Sequence, residues 1–215
     1  GNYEATGIPA AVLAHYLRER SLIPEKADLN SILFLLTPAE NMAKFQHLVA
    51  TIARFEELYP ANVPVASMLP TLVKAYPQYQ QMRIQDLCQK MHDFYRKHQL
   101  NVLLQQMFQR EHLPAVSMDP HRAHDAYIRN QIELVPLSEI EGRIAVEGAL
   151  PYPPGVLCIV PGEVWGGATL QYFRALEEGV NELPGFEPEI QGVYWERDAN
   201  GRKYATAYVL KNNQI

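Results

Sequence analysis

The chain has 215 residues, 47% of them hydrophobic and 20% charged, with a formal net charge of −5. That is the composition of one sizeable folded domain or two small ones, and its acidic balance argues against a nucleic-acid partner, whose phosphates need clustered Lys and Arg. Two cysteines, Cys88 and Cys158, exclude a disulfide framework and a four-cysteine zinc site, and both sit among apolar residues as buried thiols do.

No apolar run approaches the roughly 20 residues that span a bilayer, and no signal peptide opens the chain. The expectation is a cytoplasmic protein that binds neither membrane nor nucleic acid. The opening Gly1-Asn2-Tyr3-Glu4 lacks an initiator methionine, as expected of a piece of something longer or of a processed chain.

In chain order, Thr6-Gly7-Ile8-Pro9 reads as a helix entry with Pro9 in the first turn, where a missing N–H costs nothing. A helix from Ala10 to Arg20 follows, with Val12, Leu13, Tyr16 and Leu17 on one face and Ile23-Pro24 as its stop. The apolar run Ser31 to Leu36 has the length of a buried strand. Thr37-Pro38-Ala39-Glu40 matches a capping box. The helix it opens, 38–59, carries Met42, Phe45, Leu48, Val49, Ile52 and Phe55 along one side.

Composition shifts at Pro60-Ala61-Asn62-Val63-Pro64, and a boundary is placed there. Helices are expected at 65–75, 84–97 and 100–110, punctuated by Pro77 and Pro114. Beyond Ala115 the rhythm becomes that of strands, at 116–118, 132–135, 144–146, 156–160, 190–195 and 204–210. Tyr204, Thr206 and Tyr208 alternate with Ala205, Ala207 and Val209 in the last of them. One helix, 168–182, interrupts the series. The fold class expected is α+β, with helices first and then a mixed, mainly antiparallel sheet.

Chemical motifs are sparse. His121 and His124 stand at helical spacing with Asp119 and Asp125 close by, but zinc needs at least a third ligand. The alternative is a solvated helix start capped by Asp119, with Pro120 at the first position. Cys88 lies one turn before His92, a spacing that suits a half-buried helix face better than a nucleophile pair. The Gly-rich stretch Pro161 to Gly167 precedes a helix, where a phosphate could rest. No Lys follows it, however, and Glu163 would repel the anion, so a loop with special backbone angles is the better reading. Leu150-Pro151-Tyr152-Pro153-Pro154-Gly155-Val156 is the most distinctive segment. Pro154-Gly155 suits the centre of a type II turn, which would hold Tyr152 in a stiff stretch.

Several of these segments, in this order, resemble the bacterial ornithine/lysine/arginine decarboxylases, pyridoxal-phosphate enzymes of fold type I. The resemblance is carried by Thr6 to Ala10, Pro24-Glu25-Lys26, Leu36-Thr37-Pro38, Glu141-Gly142-Arg143, Leu150 to Gly155 and Val160-Pro161-Gly162-Glu163. Pro184-Gly185-Phe186 and Gln191-Gly192-Val193-Tyr194 extend it. It covers nearly the whole chain but only the C-terminal part of the family. Residues 1–59 resemble the end of the small α/β subdomain, and 60–215 resemble the C-terminal α+β domain.

The resemblance implies a parent enzyme that uses pyridoxal phosphate, with its own N-terminal and cofactor domains as partners and a homo-oligomeric assembly, dimeric or higher. The family's cofactor lysine lies in a Ser-x-His-Lys motif. None of the seven lysines here follows a His, so no catalytic or cofactor-binding residue is carried over, and the chain alone is expected to be inactive and to bind no cofactor.

Val146-Glu147-Gly148-Ala149-Leu150 resembles the ornithine branch, the resemblance implying neutral residues at the Glu147 position in the lysine and arginine branches. Glu147 is therefore a substrate-channel candidate, and Tyr152 is another because its stiff turn segment is also what a pocket wall or an oligomer contact would look like. The alternative for Glu147 is an exposed strand carboxylate. Alternatives for the whole are a non-enzymatic assembly or regulatory module, or the same piece of a lysine or arginine decarboxylase.

Overall fold

The computed structural model describes residues 7–38, 41–152 and 155–212. The chain divides into two compact units, Gly1–Lys97 and His98–Ile215. Its class is α+β, as expected, and the sheet expected to be mixed but mainly antiparallel has every strand pairing antiparallel among the described residues. No described helix is long and apolar enough to cross a membrane.

In the first unit, α1 (Ala10–Arg18) buries Val12, Tyr16 and Leu17. Pro9 is its N-cap, one position earlier than expected. The helix ends two residues before Arg20, and Ser21 turns the chain with a φ of 60°. The Tyr16 ring lies 4.8 Å from that of Phe55 on α2 (Met42–Leu58).

Of the capping box, Ala39 and Glu40 lie outside the described residues. The described helix starts at Met42, with the Asn41 side chain accepting the Lys44 N–H. The apolar side expected of this helix is covered unevenly: Phe55 is buried, Phe45, Leu48 and Ile52 are half-buried, and Met42 and Val49 are 70% and 64% exposed. The expected strand 31–36 shrinks to β2 (Ile32–Leu33), paired only with β1 (Lys26–Ala27). Asp28 closes that ribbon by accepting the Asn30 and Ser31 N–H groups, an Asx turn. Leu35 and Leu36 beyond it remain exposed.

The helix expected at 65–75 is two, α3 (Val65–Met68) and α4 (Pro70–Ala75). Pro70 has no N–H to give and disfavours helical angles at Leu69, which takes φ −128° and ψ 60°. Next, α5 (Ile84–Lys97) buries Leu87, Cys88, Met91 and Phe94. Its His92 ring contacts the Gly7 carbonyl oxygen at 3.1 Å, tying the entry of α1 to α5.

In the second unit, α6 (Leu100–Gln106) stops four residues short of Arg110, and a 3-10 turn follows at Arg110–His112. Asp119 caps α7 (Pro120–Ile128), accepting the Arg122 N–H. A three-stranded sheet has the order β3 (Ile132–Pro136), β7 (Lys203–Leu210), β6 (Tyr194–Arg197). A separate ribbon joins β4 (Leu150–Tyr152) to β5 (Glu189–Gln191). The strand expected over 190–195 is broken between β5 and β6 at Gly192, whose φ is +78°. Those expected at 116–118, 144–146 and 156–160 make only isolated bridges, Val116 to Glu163, Ile144 to Val164, Ala145 to Val209 and Ala149 to Ile159.

The central strand β7 buries Ala205, Ala207 and Val209, as its alternation implies, and α8 (Gly167–Glu182) packs against it. Burying each large apolar side chain of this core contributes about 1.5–3 kcal/mol. Ile144, Val146, Ala126 and Leu210 form a buried cluster that joins the 144–146 segment to α7 and β7.

Candidate functional site

Glu147 follows the buried Val146, whose N–H donates to the Tyr208 carbonyl oxygen at 3.3 Å. The backbone is pinned on its other side. A Cβ on Gly192 would lie 2.1 Å from the Gly148 carbonyl oxygen and 2.8 Å from the Ala149 Cα, so only glycine allows this approach. Two residues beyond Gly192, the Tyr194 hydroxyl donates to Glu147 Oε2 at 2.8 Å. The close backbone contact thus sets which carboxylate meets which phenol.

Tyr194 opposes Thr206 in the sheet, which makes Tyr208 its diagonal neighbour, within reach of an aromatic side chain. The two rings are 5.1 Å apart at 73°. Tyr208 meets Tyr127 of α7 in the same T-shaped manner, at 5.6 Å and 86°. The site is therefore a part-buried carboxylate hydrogen-bonded to Tyr194, the first of three tyrosine rings in consecutive contact, all in the second unit. Desolvation raises the Tyr194 pKa above the ordinary phenol value, and the hydrogen bond to the Glu147 carboxylate raises it further. No cationic side chain pairs with Glu147 among the described residues.

Tyr152 sits on β4 opposite Glu189 and is 42% exposed. Gly155, at φ +76°, lies under its ring and donates its N–H to the Pro151 carbonyl oxygen at 2.9 Å. The positive φ agrees with the turn read from the sequence; Pro153 and Pro154 lie outside the described residues. No hydrogen bond or ring contact joins Tyr152 to Glu147 among the described residues. Sequence reasoning missed Tyr127, Tyr194 and Tyr208 as site residues. The alternation in β7 set Tyr208 on a face, but the partners that meet there come from distant segments.

The other motifs resolve into structural roles. The His121 ring is 3.8 Å from the Asp125 carboxylate, and no group of three or more His, Cys, Asp or Glu among the described residues could hold a metal. Cys88 and Cys158 are free and buried, and burial pushes both thiols up to about 12. The Glu163 carboxylate accepts the Val160 N–H at 2.7 Å, so it braces its own loop.

Residues 101–211 match the family described as Orn/Lys/Arg decarboxylase, C-terminal domain, and residues 1–44 match the Orn/Lys/Arg decarboxylase, major domain. The chain belongs to the Orn/Lys/Arg decarboxylase family. It is 58% identical over 212 residues to the inducible ornithine decarboxylase of Escherichia coli, covering 98% of this chain and 29% of that protein. The ornithine decarboxylase of Haemophilus influenzae is 54% identical over 98% of this chain and 29% of its own length. The solved structure of the E. coli constitutive lysine decarboxylase superposes with a TM-score of 0.87 at 34% identity, over 98% of this chain and 29% of that one. The chain thus spans about 29% of the length of these relatives.

The family's cofactor, pyridoxal phosphate, needs a lysine that can form an imine, which enzymes activate by desolvation or a neighbouring charge. Lys26, Lys44, Lys74, Lys90, Lys97, Lys203 and Lys211 are all exposed or half-exposed. Lys211 instead donates to the Asn130 carbonyl oxygen, and Lys90 lies over the Tyr79 ring.

Proposed function

We propose that this chain is the C-terminal part of a cytoplasmic, pyridoxal-phosphate-dependent ornithine decarboxylase, which converts L-ornithine to putrescine and CO2. Identities of 58% and 54% to ornithine decarboxylases, against 34% to a lysine decarboxylase, support this substrate. The observation that carries the reading is Glu147, a part-buried carboxylate with no cation paired to it among the described residues, held in place by Tyr194. A distal ammonium is the partner such a group lacks, and charge-assisted hydrogen bonds are the stronger kind.

On this reading the cofactor supplies the electron sink for decarboxylation and is anchored elsewhere in the parent protein. Residues 1–59 end the small subdomain and 60–215 form the C-terminal domain. This part contributes pocket wall, with Glu147 and Tyr152 toward the substrate channel, and contacts within a homo-oligomer. The exposed Ile23, Leu33, Leu35, Leu36 and Met42 are cover for the parent's own cofactor domain. They lie in the stretch that matches the family's major domain.

The test is Glu147→Gln in the full-length enzyme. Losing one charged hydrogen bond at a part-exposed site should raise KM for ornithine about tenfold while kcat changes little, the pattern of lost uniform binding. Unchanged kinetics would remove Glu147 from substrate recognition.

A further inference from the structure

Of the asparagines in the sequence, Asn200 alone is followed by glycine. The pair sits at the tip of the β6–β7 hairpin, where Asn200 and Gly201 are both exposed. The Gly201 N–H donates to the Asp198 carbonyl oxygen at 2.9 Å. That bond closes a turn with Asp at its first position and Gly at its fourth, the composition of type I. The Asp198 carboxylate holds the same turn, its Oδ1 accepting the Asn200 N–H at 2.8 Å and the Arg202 N–H at 2.9 Å. Among the described residues no group hydrogen-bonds the Asn200 side-chain amide, and a Cβ on Gly201 would meet nothing within 4 Å. The glycine that lets the turn close at a φ of +78° thus also leaves its own nitrogen unshielded beside the Asn200 amide carbon.

We propose that Asn200 is a site of spontaneous main-chain modification, converting through a succinimide to isoaspartate and aspartate at a rate governed by opening of the Asp198 turn. The Gly201 amide gives its proton to hydroxide, and its nitrogen bonds to Asn200 Cγ. The Cγ–Nδ2 bond breaks, and Nδ2 takes a proton from water and leaves as ammonia. Water then opens the five-membered ring. Opening at the side-chain carbonyl gives aspartate, and opening at the main-chain carbonyl gives isoaspartate, with Cβ and Cγ in the main chain. The net change is one water consumed and one ammonia released, with no oxidation or reduction.

The turn sets the pace. The attacking nitrogen is tied to Asp198 through its own N–H, so the ring closes only when the hairpin tip opens. An exposed tip opens locally, without unfolding of the sheet. Either product adds a negative charge two residues from Asp198. Isoaspartate also lengthens the main chain by one atom inside the loop that sets Arg197 opposite Lys203 and Arg197 Nη1 on the Gly201 carbonyl oxygen. The strand that yields is β6, an edge strand exposed along its whole length, since β7 is also paired with β3.

The full-length protein is held folded at pH 8, sampled over weeks and digested for mass spectrometry, alongside a free peptide of residues 196–204. The Asn200 segment should gain the mass of an amide-to-acid exchange before any other asparagine does, Asn30 before Ser31 included. Electron-transfer fragmentation, which breaks the Cα–Cβ bond that isoaspartate carries in its main chain, should show isoaspartate as the larger product. Conversion in the folded protein should run about two- to tenfold slower than in the peptide, the protection that one net hydrogen bond gives. Asp198→Ala keeps the carbonyl acceptor but frees the Asn200 and Arg202 N–H groups, and should convert at least about twofold faster than wild type. In the isoaspartyl form the Asp198 and Arg202 amides should exchange hydrogen faster while those pairing β3 with β7 keep their protection.

An unchanged Asn200 when the peptide has fully converted would overturn the proposal, as would another asparagine converting first. Aspartate without isoaspartate would remove the succinimide. A rate in Asp198→Ala equal to wild type would remove the turn as the gate.

Discussion

Replacing Gly192 by alanine should cost far more than the same change at Gly201, although both glycines have a φ of +78°. An alanine at positive φ costs roughly 1–2 kcal/mol wherever it stands. At Gly201, in the turn between β6 and β7, a Cβ meets nothing within 4 Å, so that is the whole penalty. At Gly192 the Cβ would sit 2.1 Å from the Gly148 carbonyl oxygen and 2.9 Å from its carbon. Backbone atoms cannot swing aside as a side-chain tip can, so the two segments must separate, at an added cost of about 1–3 kcal/mol. The expected losses are therefore about 2–5 kcal/mol for Gly192→Ala and about 1–2 for Gly201→Ala. Urea unfolding at matched m-values measures both. Since the same contact sets Glu147 against Tyr194, Gly192→Ala should also alter the Tyr194 ring resonances, and Gly201→Ala should leave them in place. Equal losses for the two variants, or an undisturbed Tyr194, would refute the argument that this crossing builds the site.

Cys88 and Cys158, held up to about 12 by burial, should resist a thiol-specific disulfide reagent at pH 8, with about one thiol in ten thousand ionised. Labelling of the folded chain as fast as in urea contradicts this. Glu177 accepts the Ala205 N–H at 2.7 Å, and desolvation raises its carboxyl above the ordinary value despite that bond. Its folded state therefore holds a proton more tightly than the unfolded chain does. The stability this supplies is complete below the ordinary carboxylate pKa and is lost as pH rises through the raised folded value. Glu177→Gln keeps an acceptor for Ala205 and does not ionise, so its Tm should gain on the wild type between pH 4 and 7. Parallel Tm curves would contradict this.

The fold was legible where local chemistry decides it. The boundaries of α5 match the expectation, β7 differs from it by one residue, and the Asp119 cap of α7 follows from Asp-Pro at a helix start. It was less legible where tertiary partners decide. The apolar run 31–36 reads as a buried strand, yet it pairs over two residues and leaves Leu35 and Leu36 exposed. The segments at 116–118, 144–146 and 156–160 have strand composition but make only isolated bridges, one of them from Ala145 to Val209 of β7 and the others to loops. Glu147 entered as a candidate through its segment's resemblance to one branch of a family. Its tyrosine neighbours were not legible, since Tyr194 meets Tyr208 through the β6–β7 register, Tyr127 reaches Tyr208 from α7, and the Gly148 to Gly192 contact sets Tyr194 against Glu147.

The most direct test of the substrate assignment is CO2 release by the full-length enzyme from L-ornithine, L-lysine and L-arginine under identical conditions. Lysine is one methylene longer than ornithine, a difference worth about 10- to 200-fold in a fitted pocket. kcat/KM for ornithine should exceed both others by at least the lower end of that range. Equal turnover of lysine, or a preference for lysine or arginine, would contradict it.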